Sequence, residues 1–515
     1  MAKKRPPTKP ARKAQHKPKP SVSAATPPSF PIVGIGASAG GLEAFTNLLK
    51  KLPADTGMAV VLIQHLDPKH ESILTALLSR STRMPVHEVA NRMPVEPNNV
   101  YVIPRNANMQ ISDTTLHLTS RPDTGEKHMP VDFFFQSLAE AKKSNAIGII
   151  LSGTGSDGTA GLRAIKSEGG ITFAQDLNSA KFDGMPRSAI AAGMVDYILT
   201  PEEIARDLSH LSRHPYVTSD GGGSVAEDEF NKIFSLLRAQ TGSDFSSYKR
   251  GTIGRRVRRR MVLQKVDKLP DYIKLLHASP VEVKALYEDL LINVTEFFRD
   301  PKSFETLKTA VFPKLLQNRE SGTPIRVWVP GCSTGEEVYS IAMLLIDFLA
   351  GGEADNPVQI FGTDISEVAI ARARIGFYPE SLVAKVPPEM FERYFNKSDH
   401  GYRIIKRIRD LCVFARQDLT RDPPFSRVDL ISCRNVMIYL GLDLQEKLMQ
   451  IFHYALNQEG YLMLGNSEGP GSSPLFTAID KHSRIYFKQP SADRPPLNFP
   501  LRYAAAENRP HRACG

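Results

Sequence analysis

Residues 31–41 read PIVGIGASAGG, a short apolar run followed by a glycine-rich turn and the start of a helical pattern. Further short apolar runs follow along the chain: MAVVLIQH, VYVIP, AIGIILSG, GGITFAQ and MVDYILT, with helical patterns between several of them. Short strands that alternate with helices are typical of a mostly parallel α/β sheet. Residues 30–213 are therefore predicted to form one doubly wound, Rossmann-like α/β domain.

Three side chains follow the ends of these predicted strands. Ser38 lies in the turn after the first strand, His65 ends the second, and Asp157 follows a later one in SGTGSDGT. Because the carboxyl ends of parallel strands meet at one edge of a sheet, we expect the three to converge as nucleophile, base and orienting carboxylate. Taken singly, the turn also fits a phosphate loop, His65 a packing histidine and Asp157 a turn residue.

Seven motifs in this region resemble, in order, the catalytic domain of CheB-type chemoreceptor glutamate methylesterases: GIGASAGG, VLIQHLDP, YVIPRN, MPVDFFFQSLA, LSGTGSDGT, AQD and GMPRSAI. The resemblance implies hydrolysis of glutamate methyl esters to carboxylate and methanol, often with glutamine deamidation. It places the catalytic triad on Ser38, His65 and Asp157. Two residues depart from the family pattern, since Ala39 stands where threonine is usual and Thr154 where a methionine lining the oxyanion region is usual.

A second α/β pattern begins with IRVWVPGCSTG at residues 325–335. Residues 214–224 have the composition of a flexible linker, and residues 225–300 carry only helical periodicity. Strand patterns resume with VQIFGTD, VDLISC, YLMLG and RIYFKQ. The prediction is a small all-helical domain at 225–300 and a second doubly wound, Rossmann-like domain at 301–489.

The turn GCSTGEE opens a helix, and the next strand of this second domain ends in Asp364. Glycines let the backbone approach a ligand, and a carboxylate at the end of the second strand accepts hydrogen bonds from ribose hydroxyls. The motif GxGxxG is absent, which argues against NAD. S-adenosylmethionine is favoured instead, because the sulfonium of this cofactor tolerates nearby acids such as Glu336. A purely structural glycine turn is the alternative. The four cysteines form no CxxC pair, so no metal site is expected.

Five motifs resemble, over residues 225–489, CheR-type chemoreceptor glutamate methyltransferases: NVTEFFRD, GCSTGEE, GTDIS, RQDL and CRNVMIYL. The resemblance implies methylation of receptor glutamates by S-adenosylmethionine, and it brings Tyr439 near the path of the methyl group. The implied cofactor contacts are Asn293, Thr295, Arg299, Glu336, Asp364, Asp418, Leu419, Arg434 and Asn435. Asp418 is commonly asparagine in the family. We expect Arg299 to be catalytic by steering the acceptor carboxylate through bidentate pairing.

Two segments bear on the protein partner. The sequence KRGTIGRRVRRR at 249–260 fits an acidic receptor helix, and a solvated or RNA-binding face is the alternative. Receptor contact is favoured, because the family places it in this helical domain. The segment RYFNKSDHGYRIIKR at 393–407 resembles the small β insert of the family. Its loop is short and lacks GxG, so tethering to a receptor peptide is not expected.

Both ends of the chain, residues 1–29 and 490–515, are predicted to be disordered. Residues 1–20 contain eight Lys and Arg and no acid, which accounts for most of the net charge of +10. The leading segment is too short for a receiver domain of about 120 residues, so phosphorylation control in cis is not expected. No signal peptide and no uncharged apolar stretch of about 18 residues is present, which predicts a cytoplasmic protein without a membrane span. A nucleic-acid partner is not expected.

Together these patterns predict a bifunctional enzyme that forms and removes methyl esters on glutamates of a bacterial signalling protein. The alternative is a non-catalytic signalling scaffold. In that case the first domain is the one expected to have lost activity, because Ala39 and Thr154 depart from the esterase pattern.

Overall fold

A computed structural model describes most of the chain. The described residues are 30–64, 74–120, 128–212, 227–317, 319–351, 356–399, 401–471 and 473–490. The predicted tails, apart from Pro490, and the predicted linker at 214–224 lie outside these ranges. The described residues form two α/β units with a helical unit between them along the chain.

The first unit contains a seven-stranded parallel sheet with the order β10-β9-β8-β1-β2-β5-β3. Its strands are β1 (Ile32–Ala37), β2 (Ala59–Gln64), β3 (Val86–Glu88), β5 (Val100–Val102), β8 (Ala146–Ile150), β9 (Ile171–Gln175) and β10 (Tyr197–Leu199). The chain runs outward in both directions from the β1/β8 pair. In open α/β sheets, ligands bind at the carboxyl ends of the strands beside such a switch point.

Helices cover both faces of this sheet, as a doubly wound fold requires. They are α1 (Gly41–Lys51), α2 (Leu74–Ser79), α3 (Pro130–Lys142), α4 (Thr159–Ser167), α5 (Gly184–Ala191) and α6 (Pro201–Leu211). The apolar side chains of α1, α2 and α6 share one core, and those of α3, α4 and α5 share the other. A small antiparallel sheet, which the sequence patterns missed, consists of β4 (Met93–Pro94), β6 (Ala107–Ser112) and β7 (Thr115–Ser120).

The helical unit consists of α7 (Glu227–Thr241), α8 (Arg250–Leu263), α9 (Leu269–Ala278) and α10 (Pro280–Leu290). Its own core contains Phe230, Val257, Tyr272 and Leu286. Val262 on α8 instead packs in the core of the first α/β unit. The helical unit is therefore joined to that unit by apolar packing.

The second α/β unit has the strand order β16-β12-β11-β17-β18-β20-β19. The strands are β11 (Ile325–Pro330), β12 (Val358–Asp364), β16 (Cys412–Arg416), β17 (Val428–Cys433), β18 (Leu456–Leu464), β19 (Phe476–Asp480) and β20 (Ile485–Lys488). The first five of these in the sheet order are parallel, and β20 and β19 complete an antiparallel edge. The switch point lies between β11 and β17.

The predicted β insert is present as a three-stranded antiparallel sheet of β13 (Phe377–Tyr378), β14 (Phe395–Ser398) and β15 (Gly401–Ile404). The helices of this unit are α11 (Pro301–Thr306), a π-helical turn (Leu307–Val311), α12 (Phe312–Leu316), α13 (Glu336–Ala350), α14 (Glu367–Ile375), α15 (Glu380–Val383), α16 (Pro388–Tyr394), α17 (Lys406–Arg409) and α18 (Leu442–Ala455). The predicted fold class is confirmed by this architecture. None of the helices within the described ranges is long and apolar enough to cross a membrane.

The basic stretch at 249–260 forms most of α8, but its arginines do not all face solvent. Arg256 donates to the last carbonyl groups of α4, including Lys166 O at 2.7 Å, where a helix C-terminus favours a cation. Arg259 is fully buried and pairs with Asp196 of the first unit. The expectation that the whole stretch meets a receptor is therefore wrong for Arg256 and Arg259, because the first unit already holds them. The exposed basic residues of the stretch are Lys249, Arg250 and Arg255.

Candidate functional site

In the first unit, Ser38 follows β1 in a turn that hydrogen bonds hold against the end of β8. Ser38 N donates to Ser152 O at 3.0 Å, and Ser152 Oγ donates to Ala39 O at 2.9 Å. Gly40 has φ +76°, and a Cβ there would lie 2.6 Å from Ser152 Oγ. The turn therefore requires glycine at this position, and it leaves Ser38 partly exposed.

Asp157 follows β8, the strand beside β1, and is 3% exposed. Its carboxylate oxygens accept the backbone N–H groups of Val131 and Asp132 at 3.0 and 2.9 Å, at the start of α3. These two bonds hold the carboxylate of Asp157 at the positive end of a helix, as an orienting group needs to be. Burial, and then the charge of Asp157, raises the pKa of the neighbouring Asp132 well above its usual value.

His65 lies outside the described residues, so the triad geometry stays a prediction. The described neighbours do constrain it. Gln64, the residue before His65, pairs in the sheet with Ala37, the residue before Ser38. The chain therefore leaves two adjacent parallel strands at the same level of the sheet before Ser38 and before His65.

The two residues that depart from the esterase pattern differ in their surroundings. Thr154 is exposed, whereas Ala39 is partly buried in the serine turn. The fully buried Met185 packs against Gly153, where an added Cβ would lie 2.2 Å from the Met185 sulfur and 3.0 Å from Ser38 N. The sequence patterns did not identify Met185 as a neighbour of the serine turn, although it lies in the motif GMPRSAI.

In the second unit, a cavity opens at the carboxyl ends of β11, β12 and β17, beside the switch point. Nine residues expected near the cofactor or the methyl path line it: Asn293, Thr295, Arg299, Asp364, Asp418, Leu419, Arg434, Asn435 and Tyr439. They come from four separate stretches of the chain. Tertiary folding therefore brings together the motifs that the sequence predicted to share a site.

Glu336, the remaining expected contact, does not line this cavity, and its neighbour Glu337 does. The Glu336 side chain is fully buried and pairs with Arg163 of the first unit at 2.9 Å. Successive residues of a helix point about 100° apart, so only one of two adjacent glutamates at the start of α13 can face the cavity. Of these two residues, Glu337 is therefore the candidate cofactor contact.

Asp364 ends β12 and is 9% exposed. Its two carboxylate oxygens accept N–H groups from Ser333 and Ser366, both at 2.8 Å. Burial raises the pKa of Asp364. The turn after β11 is tight, because Gly331 has φ +70° and a Cβ there would lie 2.4 Å from Val436. Backbone and carboxylate are therefore held close to the space where a ribose is expected.

A charged cluster contributes Glu337, Ser432 and Arg434 to the cavity lining. Arg434 donates to Glu337 Oε2 at 3.0 Å and to Asp300 Oδ2 at 2.6 Å. Ser432 Oγ donates to Glu337 Oε1 at 2.8 Å. The cluster holds carboxylates and a guanidinium side by side, which suits a ligand that carries both an ammonium and a carboxylate group.

Four buried polar atoms of the cavity lining have no hydrogen-bond partner among the described residues: Ser333 Oγ, Gln417 Oε1, Arg434 Nε and Asn435 Oδ1. Buried polar groups are nearly always paired in folded proteins, so this set fits a cavity built for a polar ligand. Gln417 was not identified from the sequence, although it lies in the motif RQDL. Across the described ranges, no group of three or more His, Cys, Asp or Glu could hold a metal ion.

The contribution of Glu337 to ligand binding can be tested with a single variant. Glu337→Gln is expected to raise the Kd for S-adenosylhomocysteine about tenfold, because the charged cluster then lacks the carboxylate that opposes an ammonium group. Isothermal titration calorimetry on the full chain measures this. Glu367→Gln is the matched control, since Glu367 is an exposed residue in the first turn of α14. Equal affinities of Glu337→Gln and wild type would contradict the assignment.

Three family models match the chain. They are CheB methylesterase at 33–208, the all-alpha domain of CheR methyltransferase at 228–291, and the SAM-binding domain of CheR methyltransferase at 293–481. A chemotaxis protein methyltransferase of Borreliella burgdorferi is 30% identical, over 48% of this chain and 89% of that protein.

Two other relatives extend the comparison. An uncharacterized 104.1 kDa protein of Rhodobacter capsulatus is 38% identical over 419 residues, which cover 77% of this chain and 44% of that protein. A protein-glutamate methylesterase/protein-glutamine glutaminase of Photorhabdus laumondii is 36% identical, over 33% of this chain and 49% of that protein. The chain therefore spans less than half the length of these two relatives.

Proposed function

The chain belongs to the CheR methyltransferase family and also carries a CheB methylesterase domain, and from this premise we propose that it both forms and hydrolyses methyl esters of protein glutamates. The proposed substrate is the cytoplasmic part of a chemoreceptor or a similar signalling protein. Glutamine deamidation at the esterase site is part of the proposal.

The observation that carries the methyltransferase activity is the cavity beside β11 and β17 with its unpaired buried polar atoms. S-adenosylmethionine, the cofactor of this domain, supplies an activated methyl group. Asp364 is proposed to accept the ribose hydroxyls, because two N–H donors hold its carboxylate in place. Glu337 and Arg434 are proposed to pair with the ammonium and carboxylate groups of the methionine part.

Arg299 is the proposed catalytic residue of the methyl transfer. It lies in the cavity wall, and among the described residues its guanidinium forms no ion pair and donates only to Val294 O, at 3.4 Å. It is therefore available to pair with the carboxylate of an acceptor glutamate. That carboxylate is already ionised at neutral pH, so the site has to align it rather than remove a proton. Burial raises the pKa of Tyr439 in the same wall, which keeps its hydroxyl protonated.

For the hydrolytic half, Ser38 is the proposed nucleophile, His65 the base and Asp157 the orienting carboxylate. The proposal is supported by the positions of Ser38 and Asp157 after adjacent strands at the switch point of the first sheet. Ser38 Oγ attacks the ester carbonyl, His65 takes its proton and passes it to the methoxide that leaves as methanol, and water then hydrolyses the acyl-enzyme. N–H groups of the glycine-rich turn are proposed to bind the oxyanion.

The experiment follows a tritiated methyl group through both reactions. The full chain is incubated with receptor cytoplasmic fragments and methyl-labelled S-adenosylmethionine, and label is measured on the fragment and in released methanol. Label is expected first on protein and then in methanol. If label stays on the fragment, the first unit is a binding or regulatory module, as Ala39 and Thr154 would suggest. If no label reaches protein, the methyltransferase proposal fails.

A further inference from the structure

One guanidinium of the first α/β unit, called the esterase-like unit below, is bonded to residues beside the candidate cofactor cavity. Arg163 lies on α4 and is 6% exposed. Its Nη1 donates both to Glu336 Oε1 and to Thr295 O, each at 2.9 Å. The other Glu336 oxygen accepts from Thr334 Oγ1 at 2.6 Å. A single nitrogen of the first unit is thus bonded to two segments of the methyltransferase part.

Both segments contribute residues to the lining of the candidate cofactor cavity. Glu336 is the first residue of α13, and the next residue, Glu337, lines the cavity. Thr295 lines the cavity itself, in the segment that also carries Arg299. Since one donor binds both segments, Arg163 links the start of α13 to the segment with the proposed catalytic arginine.

The charge of Arg163 is also needed where it lies. Glu336 is 0% exposed, and a buried carboxylate without a partner is strongly unfavourable. Another cation that interacts electrostatically with Glu336 is Arg372, but its side chain donates to Ala192 O of the esterase-like unit. Burial, and then the charge of Arg163, lowers the pKa of Arg372. Arg163 is therefore the cation that the structure pairs with Glu336.

We propose that Arg163 is a positioning residue of the methyltransferase site, so that cofactor affinity depends on the esterase-like unit being docked against it. The proposal rests on the proposed function of the cavity. It gives the fusion of the two units a physical consequence, because one unit contributes to the binding site of the other.

The test measures binding of S-adenosylhomocysteine to the full chain by isothermal titration calorimetry. Arg163→Met, which keeps an unbranched apolar stem but loses the donor and the charge, is expected to raise the Kd about tenfold or more. Arg163→Lys keeps a charged donor and is expected to restore most of the affinity. In methyl transfer by Arg163→Met, KM for S-adenosylmethionine should rise more than kcat falls. A loss due only to general destabilisation would not show this split and rescue.

A second variant and a control keep the result clear. The double variant Arg163→Met, Glu336→Gln has no unpaired buried charge, yet it should still bind weakly, because the bond to Thr295 O is lost. Tyr197→Phe removes another hydrogen bond between the units, from Tyr197 to Leu263 O at 3.0 Å, and should bind like wild type.

Three results would overturn the proposal. They are wild-type affinity in Arg163→Met, wild-type affinity in the double variant, or an equal loss in Tyr197→Phe. Failure of the wild-type chain to bind S-adenosylhomocysteine would instead overturn the cofactor site itself, and the role of Arg163 with it.

Discussion

Ser38→Ala is expected to abolish methanol release, with a fall of about 10³-fold or more, while methyl transfer to the receptor fragment continues. The reason is that the variant removes the only atom proposed to attack the ester and leaves the turn around it unchanged. The backbone bond from residue 38 to Ser152 O does not depend on the hydroxyl. Label should therefore accumulate on the fragment, measured as protein-bound tritium against volatile methanol.

Ser79→Ala is the matched control for Ser38→Ala. Ser79 is an exposed serine of the same unit, at the end of α2, and among the described residues its hydroxyl donates locally to Thr75 O. It should release methanol like wild type. Methanol release at the wild-type rate in Ser38→Ala would refute the nucleophile.

Variants of the other two members of the proposed triad should differ in thermal stability, and this difference separates their roles. Asp157→Asn is expected to lose activity and also to unfold at a lower temperature, because its carboxylate accepts two N–H groups at the start of α3. His65→Gln should lose activity to a similar extent as Ser38→Ala. Residues that act as a unit are not additive, so combining either change with Ser38→Ala should cost little more.

Arg299→Ala is expected to lower methyl transfer about 100-fold and to weaken S-adenosylhomocysteine binding, with esterase activity on a pre-methylated fragment unchanged. The guanidinium of Arg299 lies in the cavity wall and forms no ion pair within the described part of the chain, so the variant removes the group proposed to orient the acceptor carboxylate. Arg299→Lys should recover part of the rate, because an ammonium keeps the charge but not the bidentate geometry. Label transfer and calorimetry measure the two effects.

Arg255→Ala is the control for charge removal, since Arg255 is an exposed arginine on α8. It should leave cofactor binding unchanged. If Arg299→Ala binds and transfers methyl groups like wild type, Arg299 has no place in the site, and the carboxylate must be oriented by another group.

Much of the cofactor site could be predicted because it lies where strands end. Asp364 ends β12 and Arg434 follows β17, and both positions are marked in the sequence by an apolar run that stops at a polar residue. Parallel strands bring such ends to one edge, so the motifs converge without knowledge of the packing. The same argument predicts that Ser38 and Asp157 lie close together in the first unit.

The sequence by itself determined the class of each unit, the order of the units and nine of the residues that line the candidate cofactor cavity, because strand and helix periodicity and local turns are properties of neighbouring residues. Tertiary structure alone decided which of Glu336 and Glu337 faces the cavity, since a motif does not say how α13 is rotated against its sheet. It also decided the partner of Glu336. Arg163 lies 173 positions away, and a contact over that distance exists only because the esterase-like unit docks against the other two.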